Sequence, residues 1–124
     1  MISVNANPNT WAKTCYIASK TGTDVDEEGN EVAIYDTPVE YKFNYRAVSS
    51  DSDLREFGEK ASITQRMVIP ISYKGVFKEF DVAYLYDNTP DDEGKNGDNA
   101  NYVLLPPRNG NSVIIIYMQK IIGK

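Results

Sequence analysis

The sequence predicts an all-β fold, a small antiparallel β-barrel or sandwich with long polar loops and at most one short helix. Three observations carry that expectation. Val39 to Val48 alternates apolar and polar side chains over nearly its whole length; short runs rich in Thr, Tyr and Ile recur between Gly, Pro, Asn and Asp breakers; and helical periodicity is almost absent. With 124 residues, 25% charged and 41% hydrophobic, the chain suits a single β-barrel domain over residues 1–124.

Residues 1–10 read as an extended N-terminal arm, and Met1 to Pro8 has neither the basic start nor the apolar core of an export signal. Trp11 to Ser19 fits a first strand, with Lys20-Thr21-Gly22-Thr23 as the turn that ends it. Asp24 to Glu31 is polar and leads into Val32-Ala33-Ile34-Tyr35, so a hairpin is the simplest connection. Asp36-Thr37-Pro38 breaks that strand. In the next one, Val39, Tyr41, Phe43 and Tyr45 share one face, the mark of a strand buried on one side.

Ser49 to Lys60 is polar and reads as a long loop; Leu54 and Phe57 are spaced for one helical turn capped by Ser or Asp. Ile63 to Ser72 resumes the strand pattern, Tyr73-Lys74-Gly75 reads as a bend, and Val76 to Phe80 and Asp81 to Tyr86 read as extended. Asp87 to Asn99 contains no apolar side chain, and residues 87–101 form a second long, exposed loop. Asn101 to Leu105, the breaker Pro106 to Asn111 and Val113 to Ile122 then predict a last hairpin, with Val113-Ile114-Ile115-Ile116 buried on both faces.

Charge and composition exclude several classes of function. A net charge of -5 argues against gripping nucleic acid through its phosphates, which needs clustered Lys and Arg. One cysteine, Cys15, rules out an intramolecular disulfide and suits a reducing compartment; its place in a strand pattern reads as a small buried side chain. Histidine is absent, which removes the commonest general base and every Ser-His or Cys-His nucleophile. No enzyme activity and no cofactor are expected. The longest apolar-rich stretch, Val113 to Ile122, is too short to span a bilayer as a helix.

Asp24, Asp26, Glu28 and Gly29 resemble the first half of a calcium loop, but the twelfth position counted from Asp24 is Tyr35, where that loop needs a bidentate Glu. A solvated hairpin turn is the better reading. Asp87, Asp91, Asp92, Glu93 and Asp98 read as a hydrated surface rather than an ion site. The chain has nine Tyr and one Trp; most of the Tyr fall on strands, where cross-strand packing accounts for them without a ligand groove.

Four pieces in order resemble the head-closure, or stopper, proteins of long-tailed bacteriophages, also called head-tail joining or head-tail adaptor proteins. They are Val39 to Val48 with the polar segment ending at Phe57-Gly58; Asp81-Val82-Ala83-Tyr84-Leu85 with Asn88-Thr89-Pro90; Asn99-Ala100-Asn101-Tyr102-Val103; and Gly110-Asn111 entering a final apolar strand. The chain departs from the family in carrying Tyr84 where Trp is frequent, and its first 23 residues match nothing in it.

The resemblance implies a homo-oligomeric ring, dodecamer or hexamer, in the virion neck, assembled in the host cytoplasm. The portal and adaptor would lie above it and a tail-completion or tail-tube protein below, with genome DNA passing through the channel without specific binding. By position, Ser49, Ser50, Asp51, Ser52, Asp53, Leu54, Arg55, Glu56, Phe57 and Gly58 are the candidate channel loop, with Asp51, Asp53 and Glu56 expected to face the lumen. Asp87, Pro90, Asp91, Asp92, Glu93, Asp98 and Asn101 are the candidate contact with a neighbouring ring. A monomeric β-sandwich binding module, a small carboxylate hydrolase and another neck or tail component, such as a tail-completion protein, stay open as alternatives.

Overall fold

Six antiparallel strands close into a barrel in the order β5-β4-β1-β6-β7-β9, with β9 pairing back onto β5. The computed structural model describes residues 12–91 and 96–122, so the expected arm over 1–10 lies outside the described residues. The barrel strands are β1 (Lys13–Ala18), β4 (Val39–Ala47), β5 (Thr64–Pro70), β6 (Val82–Tyr84), β7 (Tyr102–Leu104) and β9 (Val113–Lys120). β2 (Lys20–Val25) and β3 (Glu31–Tyr35) form a separate two-stranded ribbon, and the short β8 (Arg108–Asn109) lies against β9.

The alternation read in β4 determines which side chains enter the barrel. Phe43 and Tyr45 are buried and Tyr41 half-buried, while Val39, at the strand's start, is exposed. Their cross-strand partners follow the same parity: Cys15 opposes Tyr41, Tyr45 opposes Met67, Met67 opposes Ile116 and Ile69 opposes Ile114. These side chains join Leu85, Leu104 and Met118 in one core that fills the barrel. A small barrel filled in this way is a packed core and carries no pore.

Each end of the barrel has its own closure. At one end Phe77 packs edge-on against Tyr41 and Phe43 and is stacked beside Tyr73, with ring centroids 5.3, 5.9 and 6.0 Å away. At the other the Tyr86 backbone N–H donates to the Tyr45 hydroxyl at 3.1 Å, the Tyr86 hydroxyl donates to Gln65, and Lys13 lies over both tyrosine rings.

Three details differ from the sequence reading. Lys20-Thr21-Gly22-Thr23 is part of strand β2, because the β-turn falls later: Asp26 Oδ1 accepts from the Glu28 and Asn30 backbone N–H groups and Gly29 takes a φ of 86°. Val76 to Phe80 is not a strand; the Val76 N–H bonds back to the Tyr73 carbonyl and Phe77 turns into the core. Val113 to Ile116 is not buried on both faces, since Ile114 and Ile116 point inward, Val113 is exposed and Ile115 is half-buried. Only the outward Tyr117 is also covered, because a helix lies over it.

That helix, α1 (Asp51–Phe57), is the one short helix expected, and it lies within the polar segment 49–60. The Ser50 side chain caps it by accepting from the Asp53 N–H, and Gly58 ends it at a φ of 53°. A 3-10 helix, Gly58–Ile63, continues into β5.

Candidate functional site

Three features of the outer wall concentrate the polar chemistry of the described residues: the α1 clamp, the loop around 87–101 and a cleft beside α1. The clamp centres on Tyr117, which faces outward from β9 opposite Arg66. Its hydroxyl donates to Asp53 Oδ1 at 2.6 Å, and its ring meets Phe57 at 4.9 Å and the Arg108 guanidinium at 4.7 Å. Arg108 in turn forms a salt bridge with Glu56. Burial and the bond to Asp53 push the Tyr117 pKa up, while Arg66 pulls it down. Arg108 holds the Glu56 carboxyl below its ordinary range.

The structure thus distributes the candidate channel residues unevenly. Asp53 is only 7% exposed and faces the barrel wall, and Glu56 is bound to Arg108. Ser49, Asp51, Ser52, Leu54 and Arg55 are exposed. Of the three carboxylates read as lumen-facing, Asp51 is the one whose side chain stands open at the surface without a bond to the barrel.

The candidate inter-ring loop is knitted together by asparagine side chains acting as backbone mimics. Asn101 Oδ1 accepts from the Leu85 N–H at 2.9 Å and its Nδ2 donates to the Leu85 carbonyl at 3.1 Å, which extends the β6–β7 pairing by one step. Asn99 Nδ2 donates to the Thr89 carbonyl at 2.8 Å, and its Oδ1 accepts from the Asp91 N–H at 3.1 Å. Asp87 is exposed at a φ of 65°, Pro90 is half-buried, and Asp91 and Asp98 are exposed. Asp92 and Glu93 lie outside the described residues. A cleft of about 530 Å³ opens between Thr37-Pro38 and Thr89-Pro90, with Tyr16 in its wall.

The smaller cleft, of about 280 Å³, lies between the ends of β4 and β5 and the start of α1. Arg46, Arg66, Ser49, Ser52, Asp53 and Tyr117 line it.

Asp81 is the residue whose importance the sequence understated. It is 1% exposed; its Oδ1 accepts from the Lys20 N–H and its Oδ2 from the Lys78 N–H, both at 2.9 Å. One carboxylate therefore ties the start of the β2–β3 ribbon, the segment before β6 and the barrel together. The only sequence signal was an acid standing directly before an apolar strand.

Among the described residues no group of His, Cys, Asp and Glu could hold a metal ion, and no helix is long and apolar enough to cross a membrane. Cys15 is fully buried, and burial pushes its thiol up to about 12. No family model, curated protein or solved structure matches the chain.

Proposed function

We propose that the chain is a ring-forming head-closure subunit of a long-tailed bacteriophage, sitting in the virion neck and assembled in the host cytoplasm. Portal and adaptor lie above the ring and a tail-completion or tail-tube protein below. The observation that carries the reading is the β2–β3 ribbon. Among the described residues its strands pair only with each other, and Val25 at 61% exposure, Val32 and Ile34 stand at the surface. A two-stranded ribbon has little stability of its own, and its open edges and apolar side chains suit burial against another subunit.

A filled barrel carries no pore, so in this reading the DNA channel lies between subunits. In this reading Ser49 to Gly58 is the gate, the Asp53–Tyr117 and Glu56–Arg108 contacts are its latch, and Asp87 to Asn101 meets the neighbouring ring. Asp51 is the open acid of the gate segment, and the chain's net charge of -5 favours a genome that passes without being gripped. A second reading, a monomeric binding module, draws on the cleft of about 530 Å³ beside Tyr16 and Pro38.

Sedimentation and native mass spectrometry separate the two. A closed hexamer or dodecamer, reduced to monomer by the paired changes Val32→Asp and Ile34→Asp, is the expected result. A strict monomer at high concentration, alone and with a portal complex, would favour the binding module.

A further inference from the structure

We propose that the cleft of about 280 Å³ between β4, β5 and α1 is a binding site for a phosphate group, held by Arg46 and Arg66. The first support is the pairing of the strands. Arg46 lies directly opposite Arg66 in the β4–β5 register, both on the outward face. Two like charges in that position repel each other, so the arrangement costs stability unless an anion lies between them. No salt bridge or hydrogen bond among the described residues engages the Arg46 guanidinium.

The surroundings supply the remaining elements of an oxyanion site. Ser49 and Ser52 put exposed hydroxyls at the rim. Asp53 lies in the cleft wall, but its Oδ1 is occupied by the Tyr117 hydroxyl, and two arginines against one carboxylate leave one positive charge uncompensated. Each guanidinium carries its N–H donors in a rigid fork, and although Arg66 also bonds the Tyr117 hydroxyl, the two together match the oxygens of a phosphate better than a single carboxylate. Elsewhere on this wall Arg108 shows the contrasting case, an arginine already neutralised by Glu56. The inference concerns one chain and a small anion and does not rest on the neck assignment, although Ser49 and Ser52 belong to the segment given to the gate there, so the two readings meet at this cleft.

The test is inorganic phosphate titrated into the full chain at constant ionic strength, read by calorimetry and by the thermal midpoint. The parallel arms are acetate and the variants Arg46→Gln and Arg108→Gln. Saturable binding and a raised midpoint are expected in the native chain and in Arg108→Gln. Arg46→Gln is expected to weaken binding by about tenfold or more, the effect of losing a charge-assisted bond. Without phosphate and at low salt, Arg46→Gln should melt no earlier than the native chain, because it removes the repulsion. Absence of saturation in the native chain, equal binding by Arg46→Gln, earlier melting of that variant without phosphate, or an equal response to acetate would each overturn the proposal.

Discussion

The Tyr117 hydroxyl donates to Asp53 Oδ1 at 2.6 Å and ties helix α1 to the outer wall of the barrel. Seven residues are too few for a helix to persist alone in water, so α1 depends on what it packs against. Tyr117→Phe leaves a buried carboxylate without its donor and is expected to lower stability by about 1–3 kcal/mol. Glu56→Gln breaks only an exposed pair and should lower the melting midpoint less than Tyr117→Phe does. Scanning calorimetry of both variants, with hydrogen exchange over 51–57, checks the order.

Asp81 bridges elements far apart in the chain, accepting from Lys20 and Lys78 while its own N–H bonds to the Lys78 carbonyl. Asp81→Ala leaves the Lys20 and Lys78 N–H donors without their acceptor at a buried position, and a loss of about 1–3 kcal/mol is expected. Asp81→Asn keeps one acceptor and should fall between that variant and the native chain in urea unfolding.

Gly97 sits beneath Tyr35 at the base of the ribbon, with a φ of 81° and its N–H donating to the Tyr84 hydroxyl at 2.9 Å. A Cβ there would lie 2.5 Å from Tyr35 Cδ2, whereas Gly75, at a φ of 84°, faces open space. Gly75→Ala should therefore cost about 1 kcal/mol from backbone strain alone. Gly97→Ala should cost distinctly more, because Tyr35 must also move. Parallel denaturant titrations measure the difference.

Burial raises the pKa of Tyr45, Tyr84, Tyr102 and Tyr117 above the ordinary value of 10.0. A phenol raised in the folded state loses its proton first in the unfolded chain. Stability from these groups is therefore intact below pH 10 and falls as pH climbs towards their folded values. Melting midpoints should stay level up to about pH 10 and then drop, with tyrosinate absorbance lagging behind that of free tyrosine. Cys15, pushed up to about 12, should react with a thiol reagent only when the chain unfolds.

How much of this was legible depended on how local the signal was. The alternation in Val39–Ala47, the Ser50 cap and the Pro and Gly breakers are read within a few residues of themselves, and the barrel class follows from them. β2 looks like a turn in the sequence because Lys20–Val25 is polar up to Val25 and contains Gly22, so no apolar alternation marks it as a strand. The strands Val82–Tyr84 and Tyr102–Leu104 are too short to show a period and owe their place to the pairing of Ala83 with Tyr102.

The outer-wall site was less legible still. Asp53 and Tyr117 lie 64 residues apart, and Lys20 and Asp81 are separated by 61. Nothing in the local pattern of an acid on a short polar helix says that it turns inward to a tyrosine. The opposition of Arg46 and Arg66 likewise appears only once β4 and β5 are in register.

The proposed neck assignment is tested most directly by asking whether the genome that encodes this chain makes tailed particles and by imaging their necks with cryo-electron microscopy. The account predicts a ring of barrels between portal-adaptor and tail, with the β2–β3 ribbon lying on the adjacent subunit and Ser49 to Gly58 lining the channel. A neck built without this chain, or a ring with that segment on its outer wall, would contradict it.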